Sequence, residues 1–165
     1  MPSHEPGLQR LDQALFDRVA ARARQTPRGR RNHNLHHEAD LVQRFINVLQ
    51  PGTYVRPHCH RRADPRAGFE CFVVLQGSIG VVLFDARGTV RSRERLAARG
   101  PLRGLEIAAG QVHTLVALSA DAVMLEIKQG PYDPISDKDF LPGFPLEGTA
   151  DAVEQERAWR RLFDG

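Results

Sequence analysis

The chain breaks, from residue 42 to residue 128, into short runs rich in β-branched and aromatic residues: 42–49, 53–56, 69–76, 78–84, 89–96, 102–107, 114–118 and 122–128. Turn residues punctuate them, among them Pro51-Gly52, Gln76-Gly77, Asp85-Ala86-Arg87-Gly88, Ala109-Gly110 and Ser119-Ala120-Asp121. Eight such runs with no helical pattern between them predict an all-β sandwich or barrel and exclude a βαβ fold. Helical periodicity is confined to the ends. Leu8, Leu11, Leu15, Val19 and Arg22 predict an amphipathic helix over 8–24, closed by Thr26-Pro27, and residues 150–163 read as a terminal helix. At 165 residues the chain is expected to form one domain: an N-terminal helix and polar arm over 1–41, a barrel over 42–130, and a proline-rich coil and helix over 131–165 packed on it.

The histidines carry the chemistry. Residues i and i+2 of a strand point to one face, so His58 and His60 can converge on one ion from a single extended segment. Glu70 and His113 would join them from neighbouring strands. Three imidazoles and a carboxylate suit one divalent transition ion, Fe, Mn, Ni, Zn or Cu. Cys59 and Cys71 have the opposite parity and read as small apolar side chains. His33 and His37 read as surface residues, and His4 as part of an unstructured start.

Other polar residues have two readings each. Tyr54 and Arg56 share strand parity with His58. Tyr54 could then move a proton beside the ion, and Arg56 could hold an anionic group or else pair with a carboxylate such as Glu126. Glu126 and Lys128 share one face of a strand, which means either solvent or a polar barrel interior, so Lys128 either steadies a substrate or is exposed.

Bulk composition excludes more than it assigns. All of the 23 cationic residues but Lys128 and Lys138 are Arg, and the net charge of +3 is spread along the chain. The densest basic stretch, 87–103, holds no aromatic residue to stack a base, so no nucleic-acid partner is expected. Two cysteines make no disulfide framework, and no apolar run approaches a membrane span. A cytoplasmic location without membrane attachment is expected.

Gly52-x5-His58-x-His60 followed by Glu70-x6-Gly77 resembles the first cupin motif, and Gly110-x2-His113 resembles the second. The gap of nine residues between His60 and Glu70 is longer than usual, Ala108 replaces the usual Pro, and Ala117 stands where Asn is frequent. Longer strings are similar to the WbuC-type cupin metalloproteins, which accompany O-antigen polysaccharide genes: Arg31-Asn32-His33-Asn34-Leu35-His36, Gln43-Arg44, 51–58, Phe84-Asp85, 126–132 and 137–140. The resemblance implies a cupin double-stranded β-helix, a jelly-roll-like barrel, with one metal per chain. It also implies a homodimer, and a role for Asn32, Asn34 and His36 in lining the cavity or in tying the N-terminal segment across it. It brings no reaction with it. A small metalloenzyme acting on an anionic or sugar-related molecule (an isomerase, an epimerase or a dioxygenase) is the first expectation. A metal-dependent binding protein and a barrel stapled by its metal are the alternatives.

Overall fold

The computed structural model describes residues 7–64, 66–135 and 137–165; His4 lies outside them. In chain order the elements are α1 (Gln13–Gln25), β1 (Arg30–Asn34), β2 (Val42–Leu49), β3 (His58–Cys59), β4 (Glu70–Gln76), β5 (Ser78–Phe84), β6 (Val90–Ala97), β7 (Gly104–Ile107), β8 (His113–Ala117), β9 (Ala122–Gln129), β10 (Asp139–Phe140) and α2 (Ala150–Arg161). The strands form two five-stranded antiparallel sheets, ordered β1-β2-β9-β4-β7 and β10-β3-β8-β5-β6. This is the cupin double-stranded β-helix, with a helix at each end of the chain.

Each sheet is covered outside by one helix. Leu15, Phe16, Val19, Ala20 and Ala23 of α1 pack on Ile46, Val48 and Val123, the outward residues of the first sheet. Trp159 and Phe163 at the end of α2 pack on Val82, Phe84 and Val116 of the second. Both helices start at capped residues: Asp12 accepts from the Leu15 amide at 2.9 Å, and Thr149 from the Ala152 amide at 3.2 Å. Such a cap is worth about 1 kcal/mol, and it starts α1 at residue 13, leaving Leu8 and Leu11 exposed. Between the sheets, Phe72, Val74, Ile79, Val81, Leu96, Leu115 and Met124 fill one end of the barrel. The other end is polar.

Three departures from the sequence reading have local causes. The polar arm at 30–34 is a strand, β1, paired residue for residue with β2 from Arg30↔Leu49 to Asn34↔Phe45. Its alternation is polar on both faces, because one face looks into the polar end of the barrel and the other into solvent. Residues 53–56 form no strand: Gly52 turns the chain at φ 94°, Thr53 is spent on the Gln50 and Gly29 carbonyls, and Pro57 has no N–H to give a ladder. Only His58–Cys59 remains as β3. Within the proline-rich coil, Asp139–Phe140 adds a strand alongside β3. On the far edge of that sheet, β6 exposes Arg91, Arg93 and Arg95, like charges that discourage a further strand from pairing.

Gly80 of β5 is where α2 meets its sheet. A Cβ there would stand 2.4 Å from Cε2 of Phe163, so the ring sits directly on the glycine. Gly80→Ala is expected to lower unfolding free energy by about 1–3 kcal/mol through overpacking, and Gly80→Ala with Phe163→Leu by less than the sum of the two single changes. Urea denaturation of the four proteins measures both.

Candidate metal centre

His58 and His113 are register partners on β3 and β8 of the second sheet, His60 follows β3 directly, and Glu70 begins β4 of the first sheet. The four side chains therefore meet between the sheets, all buried, with one possible ligand atom from each lying within 4.8 Å of the others.

Backbone carbonyls decide which ring nitrogens face inward. Nδ1 of His58 lies 2.9 Å from the Arg56 carbonyl and Nδ1 of His113 lies 3.0 Å from that of Gln111. Nδ1 of His60 bonds to the Asp137 carbonyl. A carbonyl can only accept, so each Nδ1 carries the proton and each Nε2 presents a lone pair. Nε2 of His60 lies 3.1 Å from Glu70 Oε1 and Nε2 of His113 lies 2.8 Å from Oε2. Despite these distances, His60 Nε2 and Glu70 Oε2 have no hydrogen-bond partner of acceptable angle. Buried, orphaned and mutually close acceptors are what a cation satisfies, so the residues fit a divalent ion.

The charge states agree. Burial, helped by the neighbouring His113, holds the His58 imidazole well below its ordinary pKa and so neutral. Burial would raise Glu70, but the His113 and His60 contacts outweigh it and hold the carboxyl well below its usual range. Three imidazole Nε2 atoms and one carboxylate form a donor set for Fe(II), Mn(II), Ni(II), Zn(II) or Cu(II).

His58, Glu70 and His113 form part of the wall of a cavity of about 480 Å³. Its other walls come largely from the inward rows of β1, β2 and β9 in the first sheet. Asn32 and Asn34 of β1, Gln43, Phe45 and Asn47 of β2, and Glu126 and Lys128 of β9 all face it. The coil after β9 closes over it. Tyr132, Asp137 and Lys138 line the cavity, Phe140 pairs with His58, and Glu147 clamps Arg28 at 2.9 Å and Arg30 at 2.6 Å.

Lys128 is buried, and its Nζ lies 3.0 and 3.1 Å from the two oxygens of Asp137, so it is neither exposed nor a free cation. Asn32 donates to Asn34 Oδ1 at 2.8 Å.

Three expected cavity residues lie elsewhere. Tyr54 stacks on Trp159 at 5.5 Å under α2 and donates its hydroxyl to the Pro145 carbonyl at 2.8 Å; burial pushes its phenol up to about 12. Arg56 neither reaches the cavity nor pairs with Glu126; its guanidinium carbon sits 5.0 Å over the Phe140 ring. The common cause is that 53–57 is not a strand, so parity with His58 does not carry back through Pro57, and Val55 faces inward instead. His36 accepts the Arg44 amide at 2.9 Å and meets the Phe45 ring edge-on, pinning β1 to β2. Cys59 packs under α2 with Val82 and Phe84, away from the ion site.

Glu126, in the sequence reading only a candidate partner for Arg56, lines the cavity. Asn47 Nδ2 donates to it, and burial, reinforced by the charge of Glu70, pushes its carboxyl up to about 8. Its signal was its shared face with Lys128, ambiguous between solvent and interior until the sheet order was known.

Comparison with known proteins supports the architecture. The family model described as a domain of unknown function (DUF6016) matches residues 11–96, which include His58, His60 and Glu70. No curated protein matches the sequence. Among solved structures, the capsular polysaccharide assembling protein CapF from Staphylococcus aureus is 20% identical with a TM-score of 0.51, over 62% of this chain and 27% of that one. A variant oxalate decarboxylase of B. subtilis is 17% identical with a TM-score of 0.50, over 68% and 28%. A cupin superfamily protein from Desulfitobacterium hafniense DCB-2 is 19% identical with a TM-score of 0.47, over 61% and 76%. At these identities the likeness to CapF and to the oxalate decarboxylase is one of fold. Among the described residues no helix is long and apolar enough to cross a membrane.

Removing a ligand should be distinguishable from removing any histidine. His60→Ala or His113→Ala is expected to weaken metal binding by more than ~100-fold, because an inner ligand counts for at least as much as the outer partners that typically contribute 10–100-fold. His33→Ala, on β1 and outside the cluster, should leave metal content unchanged. Elemental analysis after dialysis against a weak chelator measures it.

Proposed function

The chain belongs to the family described as a domain of unknown function (DUF6016), and for this member we propose a metal-dependent cupin that binds, and acts on, a small ligand in the cavity between its sheets. The observation that carries the reading is that the metal cluster is not sealed: three of its four side chains line a cavity of a size that holds a small metabolite. A divalent ion bound there would supply Lewis acidity toward a ligand oxygen, or oxygen chemistry if it were iron or copper.

The residues around it would do the rest. Glu126, held by Asn47 and directed into the same space, is the group best situated to take or return a proton on the ligand. Phe45 and Phe72 offer apolar surface on either side of it along one row of the sheet. Asp137 and Lys128 hold the coil down and limit the entry of water. We read the ligand as a small anionic or sugar-related molecule. Arg31 and Lys138, which line the cavity, favour the first description and its carboxamide lining the second. A connection with polysaccharide assembly is supported by the sequence resemblance and by the fold shared with CapF.

Cobalt substitution tests the open site. The visible bands of the Co(II)-loaded protein should shift when azide or a small carboxylate is added, as the anion reaches the ion through the cavity. Bands indifferent to every such anion would leave the ion as a structural staple only.

A further inference from the structure

Gln43 is the most deeply buried carboxamide in the protein's polar cavity, and none of the described residues satisfies it. It is 0% exposed, and neither Nε2 nor Oε1 has a hydrogen-bond partner among the described residues. Its direction is fixed twice over. It occupies the inward row of β2 with Phe45 and Asn47, and its Cγ stands 3.2 Å from where a Cβ of Gly130 would be, so the backbone of Gly130 backs it. In the sheet it is the register partner of Lys128, which in turn is the register partner of Glu70. Metal ligand, lysine and glutamine thus stand in one row on adjacent strands. The outer two are separated by two strand spacings, roughly 10 Å at the backbone and less once the side chains reach inward.

A buried amide left unsatisfied destabilises a protein, and it is retained where a ligand completes it. What completes it follows from its atoms. Nε2 donates and Oε1 accepts, so a carboxylate would leave Oε1 orphaned and an ammonium would leave Nε2 orphaned. A hydroxyl both donates and accepts. Lys128 does not change this, because its charge is already met by both oxygens of Asp137, with Arg62 a further 3.6 Å from that carboxylate. The wall continues in the same chemistry, through Asn34 and Asn32 on β1 and Asn47 on β2, with the Phe45 ring between Gln43 and Asn47.

We propose that Gln43 is the specificity residue of a second subsite in this cavity, one that takes a neutral hydroxyl of a polyhydroxylated ligand whose other end lies toward His58, Glu70 and His113. The proposal rests on reading the cavity as a ligand site and adds which chemistry that ligand carries away from the ion.

The test compares D-gluconate with 2-hydroxyhexanoate by calorimetric titration into metal-loaded protein, with metal content measured on every sample. The two acids share the carboxylate and α-hydroxyl that can meet an ion and differ in the hydroxyls beyond. Wild type should bind gluconate ~10-fold more tightly or better. Gln43→Met, similar in length and without polar atoms, and Gln43→Asn, which withdraws the amide by one methylene, should both lose that preference. Both should keep their metal and their affinity for 2-hydroxyhexanoate, and ligand-free Gln43→Met should melt no lower than wild type. Equal binding of the two acids by wild type, or a gluconate preference that survives both substitutions, overturns the proposal, the second result leaving Gln43 as a site for a structural water. Failure of either acid to bind any metal-loaded protein, or absence of metal from all of them, overturns the ligand-site reading itself and the proposal with it.

Discussion

Three hydrogen bonds from imidazole Nδ1 to main-chain carbonyls hold this centre in a state that can bind a cation. Without them each ring could turn or change tautomer, and the Nε2 lone pairs would no longer converge on Glu70. Two of the carbonyls are local, Arg56 for His58 and Gln111 for His113, each two residues before its histidine. The third is not. His60 is oriented by Asp137, 77 residues further on, in the coil that follows the barrel. Asp137 also takes Lys128 with its side chain, so one residue of the coil fixes a ligand of the ion and neutralises a charge in the cavity. The segment that lines the barrel mouth therefore also orients a ligand of the metal centre.

The fold makes room for this by putting its apolar packing elsewhere. Each sheet is stabilised outside by a helix and inside, at one end, by the Phe72, Ile79 and Leu96 cluster. That division leaves the inward rows of β1, β2 and β9 free of the need to pack, and they carry Asn32, Asn34, Gln43, Asn47, Glu126 and Lys128. Buried groups of this kind are costly unless partnered. Lys128 has Asp137, Glu126 has Asn47, and the half-buried Arg30 has Glu147. Apart from the Nε atoms of Arg44, Arg56 and Arg160, the buried side-chain atoms without a hydrogen-bond partner among the described residues are His60 Nε2, Glu70 Oε2 and the Gln43 amide, which lie in the space between the sheets, where a cation and a ligand would go.

The strands from β4 to β9 with β2, the two terminal helices and the four clustered ligands were legible in the sequence because each has a period or a spacing that one residue type satisfies. His58 and His60 declare themselves by i, i+2 parity, and Cys59 is excluded by the same rule. Parity failed one step earlier, at Tyr54 and Arg56, because a strand rule cannot cross Pro57 and the turn at Gly52. Strand β1 was hidden for the opposite reason: its period is intact, but both faces are polar, so no hydrophobic contrast marks it. Glu126 and Gln43 needed the sheet order. Their sequence neighbourhoods are those of ordinary strands, and only the pairing of β2 with β9 and β9 with β4 puts them in line with Glu70.

The account stands on the convergence of His58, His60, Glu70 and His113 on one ion, and X-ray absorption at the edge of whichever metal copurifies tests it most directly. The predicted spectrum has imidazole scattering from three rings, with nitrogen and oxygen neighbours at about 2.0–2.2 Å for a zinc-like ion and no sulfur shell. A sulfur shell at about 2.3 Å, or scattering from no more than one imidazole, would place the metal outside this cluster and contradict the account.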